Sequence, residues 1–149
     1  MSPAGSTHAN ALLLGATGLL LRGVSGAGKS SLTLELIARA RLRGDFARLI
    51  GDDRVMLENC NGRLIARPHA LAAGRIELRG LGIVRELFEP AGVIRGVVDL
   101  APPGEPPPRC PSACDATTQL RGLRLPRCFA ELRDPAAAQK ILLFCHGLE

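Results

Sequence analysis

Apolar residues at 12–14 and 19–21 flank Gly15-Ala16-Thr17-Gly18, a pattern that predicts a hairpin over residues 12–14 and 19–22. The period then changes. Leu32, Leu36, Ile37 and Ala40 recur at helical spacing and predict a helix from about residue 30 to 43, with Gly44 as its stop. Arg48-Leu49-Ile50 predicts a strand that ends at Gly51-Asp52-Asp53. Residues 55–58 and 63–66 flank Asn59-Cys60-Asn61-Gly62, a second hairpin, because Asn-Gly accepts the positive φ angles of a tight turn. Residues 76–78 predict a strand running into Arg79-Gly80-Leu81-Gly82-Ile83, followed by a short helical piece to Phe88. Residues 93–100 are rich in β-branched side chains and predict another strand. The Pro-rich stretch 101–111 cannot hold regular structure, and a loop of that length in a compact domain is usually a mobile functional segment or a disordered one. Two weak strands, 123–125 and 128–132, are expected around Pro126, and a terminal helix over 136–145.

Strands and helices around a glycine-rich phosphate loop predict an α/β fold, a P-loop domain. A length of 149 residues suits one domain, here residues 1–149, with Leu148-Glu149 set aside as a cloning scar. Aromatic residues make up only 3%, with no Trp or Tyr, so Leu, Ile, Val and Ala must fill the core. The net charge of +5 raises nucleic acid as a ligand, but no aromatic residues interleave with the arginines as stacking platforms, so no nucleic-acid partner is expected. No apolar run approaches 18 residues and no segment has the form of a signal peptide, so neither membrane nor export is expected. The odd cysteine count of five fits free thiols in the cytoplasm. Cys110 and Cys114 have half the spacing of a metal site, but no second pair follows, so they read as unpaired thiols.

The chemistry concentrates in Gly23-Val24-Ser25-Gly26-Ala27-Gly28-Lys29-Ser30, a complete G-x-x-x-x-G-K-[ST] phosphate loop between a predicted strand and a predicted helix. Its glycines let consecutive backbone N–H groups turn toward one anion, and the helix N-terminus adds partial positive charge. Lys29, one of only two lysines, can reach outer phosphates, and the Ser30 hydroxyl can ligate Mg²⁺. The second feature is Asp52-Asp53 at the end of a strand, one helix after the loop. Adjacent carboxylates there can divide the work, one toward the metal and one toward an acceptor hydroxyl as general base. Such a pair also opens turns by bonding its own backbone. The third is Glu77-Leu78-Arg79-Gly80-Leu81-Gly82-Ile83, where an acid and a base two apart share one face of a strand.

Together these motifs resemble the catalytic domain of bacterial HPr kinase/phosphorylase. The resemblance runs from Thr7-His8-Ala9 through the phosphate loop and Leu49-Ile50-Gly51-Asp52-Asp53-Arg54-Val55 to Ile76-Glu77-Leu78-Arg79-Gly80-Leu81-Gly82-Ile83. It implies a fold related to phosphoenolpyruvate carboxykinase, with a mixed β-sheet around the phosphate loop. It also implies an enzyme that uses ATP or pyrophosphate to phosphorylate a serine of an HPr-type phosphocarrier protein, and so regulates a phosphotransferase system. Family members also reverse this by phosphorolysis, with inorganic phosphate as attacker. By position, Lys29 stabilises the transferring group, Ser30, Asp52 and Glu77 are the Mg²⁺ set, and Asp53 is the base. His8 matches the family's active-site histidine, Arg79 joins the phosphate site, and Arg109 is the nearest match to its mobile arginine. Full-length members carry an additional N-terminal domain and form hexamers; here a homo-oligomer is left open. The chain departs from the family pattern at Ser31, where Glu is usual, in an insertion over 41–48, and in a poor match of Glu131-Leu132-Arg133-Asp134-Pro135 to the phosphorolysis loop.

Two other functions fit a phosphate loop. A small-molecule kinase needs an arginine-rich lid, for which only the Pro-rich loop is available. A nucleotide-sensing regulatory module would bind ATP and transfer nothing. Neither would phosphorylate the serine of an HPr-type protein. The 101–111 loop, with the 136–145 helix as a second candidate, is the expected partner-facing surface.

Overall fold

The computed structural model describes residues 5–24, 28–102 and 104–149. In chain order its elements are β1 (Gly5–Thr7), β2 (Asn10–Leu14), β3 (Thr17–Arg22), α1 (Lys29–Leu42), β4 (Ala47–Gly51), β5 (Val55–Cys60) and β6 (Arg63–Pro68). A 3₁₀ turn at Ala70–Ala72 leads to β7 (Arg75–Leu78), β8 (Gly82–Arg85), β9 (Gly92–Leu100), β10 (Thr117–Leu120), β11 (Leu123–Ala130) and α2 (Ala137–His146).

Nine strands form one mixed sheet in the order β1-β5-β6-β9-β3-β2-β4, with β11 also on β9 and β10 on β11. The runs in β2 and β3 are apolar without alternation because both faces of the sheet are covered. Leu12, Leu14, Leu19 and Leu21 enter a core with Leu32, Leu36 and Ile37 of α1 and Ile141 and Leu142 of α2. Ala11 and Leu20 point the other way, into a second core with Ile50, Val55, Leu57, Leu64 and Val97. Apart from Ala9, just before β2, that second core is built from strands, so the sheet curls over on itself. Truncating a fully buried leucine such as Leu20 or Leu36 to alanine costs about 2–5 kcal/mol.

Strand direction positions the site. Both β3 and β4 run antiparallel to β2, and β9 runs parallel to β3. The C-terminal ends of β3, β4 and β9 therefore lie at one end of the sheet, joined there by Asn10 at the start of β2. In open α/β sheets this is where ligands bind.

The two predicted hairpins and α1 form as expected, the second closing through Asn61 at φ 53°. Two expectations need correction. The helical piece after Gly82 is a strand: β7 and β8 make a separate antiparallel hairpin. Gly80 and Gly82, at φ +87° and +91°, reverse the chain where a helix would have to continue. Pro126 does not divide two weak strands. It sits inside β11 where pairing passes from β10 to β9, a handover at which a missing N–H is tolerated. Leu148, in the tail set aside above, lies against the helix-covered cluster, over the bare backbone of Gly96. Among the described residues, 101–111 has no helix or strand, as expected.

Candidate active site

β3 ends at Arg22, and its guanidinium fixes the root of the phosphate loop. Nε and one terminal nitrogen each donate to a different Asp99 carboxylate oxygen on β9, both at 2.8 Å. Arg127 of β11 adds a 3.4 Å contact to the same carboxylate. Beside it, burial and the Asp99 charge push the Cys128 thiol up to about 12. Ser25, Gly26 and Ala27 lie outside the described residues. Helix α1 begins after Gly28, whose φ of +93° admits glycine and disfavours other residues. No side chain caps that end and no acid occupies its first turn, so its N–H groups and partial positive charge face the cleft.

Lys29 is nearly buried. Its Nζ donates to the carbonyl of Gly23 at 2.9 Å and lies 3.4 Å from that of Val24 and 3.2 Å from His8 Nε2. On the other side of the imidazole, His8 Nδ1 is 3.2 Å from Asp53 Oδ1. One neutral tautomer satisfies both contacts: Nδ1–H donates to Asp53, and Nε2 accepts from the Lys29 ammonium. Loop lysine, histidine and second acid thus form one connected line.

The two acids stand in different environments. Asp52 is only 8% exposed and fully engaged. Its Oδ1 accepts from Ser30 Oγ at 2.6 Å and Asn10 Nδ2 at 2.8 Å, and its Oδ2 accepts from the Glu77 amide at 2.9 Å. Asp53 has 68% of its side chain exposed, and its backbone is left-handed at φ 64°. Asp tolerates that conformation better than most non-glycine residues, and local contacts hold it there. Here the Asp53 N–H donates to Asn10 Oδ1 at 2.8 Å, and its carbonyl accepts from the Ala9 amide at 3.1 Å.

Asn10 is the residue that sequence reasoning missed. Fully buried, it also donates to Thr33 Oγ1 at 3.1 Å, and Thr33 in turn donates to the Lys29 carbonyl at 2.7 Å. One amide therefore ties β2, α1 and the Asp52-Asp53 turn together. The signal was available: Asn10 is the single strongly polar residue at the head of an otherwise apolar strand.

Gly28, Lys29, Ser30, Asp52 and Asp53 line a cleft of about 550 Å³ that also takes in Glu77 and Arg79, both exposed. Gly28, Lys29, Ser30, Asp52, Asp53, Glu77 and Arg79 are thus brought together, with His8 beside them. Ser30, Asp52 and Glu77 supply an all-oxygen donor set, the kind that suits Mg²⁺. Arg109 is not brought in. It lies exposed in the loop between β9 and β10 and does not line the cleft. The residue that arrives from the C-terminal half is Leu132, which follows β11 and covers Gly28.

Residues 1–93 match the family model described as HPr Serine kinase C-terminal domain. The HPr kinase/phosphorylase of Mycoplasma mycoides is 42% identical over 82 residues, covering 55% of this chain and 24% of that protein. That of Clostridium beijerinckii is 37% identical over 84 residues, covering 56% and 26%. The chain spans about a quarter of the length of these curated relatives. The solved structure of the Hpr(Ser) kinase/phosphatase from Coxiella burnetii superposes with a TM-score of 0.78 at 25% identity, covering 97% of each chain. The chain belongs to the HPr serine kinase C-terminal domain family.

Proposed function

We propose that this chain transfers a phosphoryl group from ATP or pyrophosphate to a serine of an HPr-type phosphocarrier protein, and thereby regulates a phosphotransferase system. The observation that carries this reading is the line from Lys29 through His8 to Asp53, set beside the Ser30–Asp52 pair. Relatives named HPr kinase/phosphorylase and a solved Hpr(Ser) kinase/phosphatase of the same fold support it.

The division of labour follows from the environments. Asp53 is the accessible acid. It takes the proton from the serine hydroxyl as that oxygen attacks the terminal phosphorus, and the nucleoside diphosphate or phosphate leaves with the bridging oxygen. His8 Nδ1–H holds the Asp53 carboxylate in place. Lys29 exchanges its contacts to loop carbonyls for the outer phosphate oxygens, and Arg79 meets the same charge. Ser30, Asp52 and Glu77 would hold Mg²⁺, which would supply neutralisation of charge on the phosphates. The reverse reaction runs on the same groups: inorganic phosphate attacks phosphoserine, and protonated Asp53 returns its proton to the serine oxygen.

The test is incubation with an HPr-type protein, Mg²⁺ and either ATP or pyrophosphate, followed by mass spectrometry of the acceptor. One phosphate on a serine is the expected result. Nucleotide binding without any phosphoserine would leave a sensing module, and transfer to small molecules alone would leave a metabolite kinase.

A further inference from the structure

β9 changes partners along one of its edges. β6 pairs with it as far as Ile94, and β11 pairs with it from Val97 onward. Arg95 and Gly96 fall between the two, so β6 and β11 part there and leave a fork in the sheet. The fork opens as a concavity of about 430 Å³ lined by Arg63 of β6, Arg95 of β9, Arg124 of β11 and, at the back, Leu148. It shares no lining residue with the phosphate cleft. β9 meets the root of the phosphate loop only further along, where Asp99 holds Arg22. We infer that this fork is a second binding site and that it takes a small amphiphilic anion, with the acidic head among the three arginines and an aliphatic tail on the leucines.

The head group is selected by charge. The lining holds three guanidinium groups and no Asp, Glu or His. Among the described residues only Arg124 of the three makes a side-chain hydrogen bond, to the neutral Thr117 hydroxyl at 3.3 Å. The surrounding strands β5, β6, β9, β10 and β11 carry two acids, Glu58 and Asp99. Both are paired already, Glu58 with Arg67 and Asp99 with Arg22 and Arg127. Glu149, next to Leu148, lines a different cavity with Arg43 and His146. The surplus in the fork is therefore positive. Register also sets Arg95 apart: Gly18 and Leu19 of β3 pair with Ile94 and Gly96 and pass over it, the arrangement by which a bulge re-aims a side chain. Guanidinium forks match the paired oxygens of a carboxylate or phosphate.

The tail is selected by the rest of the lining. Leu123 and Leu125 are half-buried at the rim of the strand-built core, and Leu148 is half-buried over Gly96. Small-ligand sites span about 300–1,000 Å³ and combine an apolar lining with a few polar groups, which this concavity does. No aromatic side chain lines it, so a nucleobase would have nothing to stack on.

Calorimetric titration of the protein with monomeric decanoate tests this. The parent should bind one equivalent, and octanoate, two methylenes shorter, should bind about tenfold more weakly. Decanol, with the tail and no charge, should also bind about tenfold more weakly or worse. Arg95→Glu and Arg124→Glu should each weaken decanoate about tenfold or more, and both should melt with the parent because the side chains are exposed. Arg85→Glu, on the separate β7–β8 hairpin, should change the affinity by less than about twofold. Parental affinity in both fork variants, or displacement of decanoate by ATP–Mg²⁺, would overturn the inference. Equal binding of decanol and decanoate would overturn it as well, by showing an apolar surface without a head-group site. Binding to phosphatidylglycerol vesicles with no saturable binding of decanoate would make the fork a membrane-contact surface and the inference wrong. None of these outcomes depends on phosphoryl transfer.

Discussion

Replacing Asn10 with alanine isolates the group that orders the two acids. The amide is fully buried and makes three bonds: to the Asp52 carboxylate at 2.8 Å, to Thr33 Oγ1 at 3.1 Å, and from the Asp53 N–H at 2.8 Å. A bond to a charged group is worth about 1.5–3 kcal/mol and a neutral one about 1 kcal/mol, so their removal should cost about 3–5 kcal/mol. For a chain of this size 1 kcal/mol shifts Tm by about 2–4 °C, which places the Asn10→Ala midpoint about 10–15 °C below the parent. Thr33→Val gives an internal scale. It loses the Asn10 contact and the bond to the Lys29 carbonyl, both neutral, and should fall by only about 4–8 °C. Turnover of Asn10→Ala, measured below its transition, should drop more than its nucleotide affinity, because the left-handed turn at Asp53 loses its tether while the loop keeps Lys29. Thermal melts followed by circular dichroism, paired with a phosphorylation assay, provide both readings. An Asn10→Ala midpoint within about 2 °C of the parent would show that the amide does not hold this turn.

Three further outcomes are expected. Lys29→Ala should abolish transfer and weaken calorimetric ATP–Mg²⁺ binding by about 10–100-fold, the loss of one or two charge-assisted bonds; parental affinity would rule out its phosphate role. Glu77→Gln should raise the Mg²⁺ concentration needed for half-maximal activity, and an identical metal titration would make Glu77 structural. At pH 8 a maleimide should label the exposed Cys110 and Cys114 first. Cys128, whose thiol burial and the Asp99 charge push up to about 12, and Cys145, raised by burial, stay protonated and unlabelled until the chain unfolds. Equal labelling of Cys128 in the native protein would contradict its burial.

The sequence made local order legible wherever one force dominated. Spacing set α1, and Asn61-Gly62 set the β5–β6 turn. The phosphate loop and the Asp52-Asp53 pair were visible as motifs because adjacent residues carry them. What escaped was decided across the fold. The hairpin of β7 and β8 hides in a glycine-rich segment that reads equally as a strand end. β11 runs through Pro126 because its hydrogen-bond partners change there, a fact set by β9 and β10 and not by β11 itself. β1, with the sequence Gly5-Ser6-Thr7, has no apolar pattern and forms through its pairing with β5. In the site, Asn10 joins residues 23 and 42 positions away, beyond the reach of any local motif. Arg109 was drawn in by likeness alone, whereas the segment that reaches the loop from the C-terminal half is the one bearing Leu132.

The central claim is that Asp53 moves the proton while Asp52 organises the loop serine. Turnover and ATP affinity of Asp53→Asn and Asp52→Asn, measured side by side with an HPr-type protein, test it most directly. Asp53→Asn should keep nucleotide affinity and lose about 10²-fold or more in kcat, the scale of a general-base contribution. Asp52→Asn should instead shift the Mg²⁺ requirement and lower stability, since its carboxylate accepts from Ser30, Asn10 and the Glu77 amide. The reverse pattern, with Asp53→Asn turning over like the parent and Asp52→Asn losing kcat alone, would contradict the assignment.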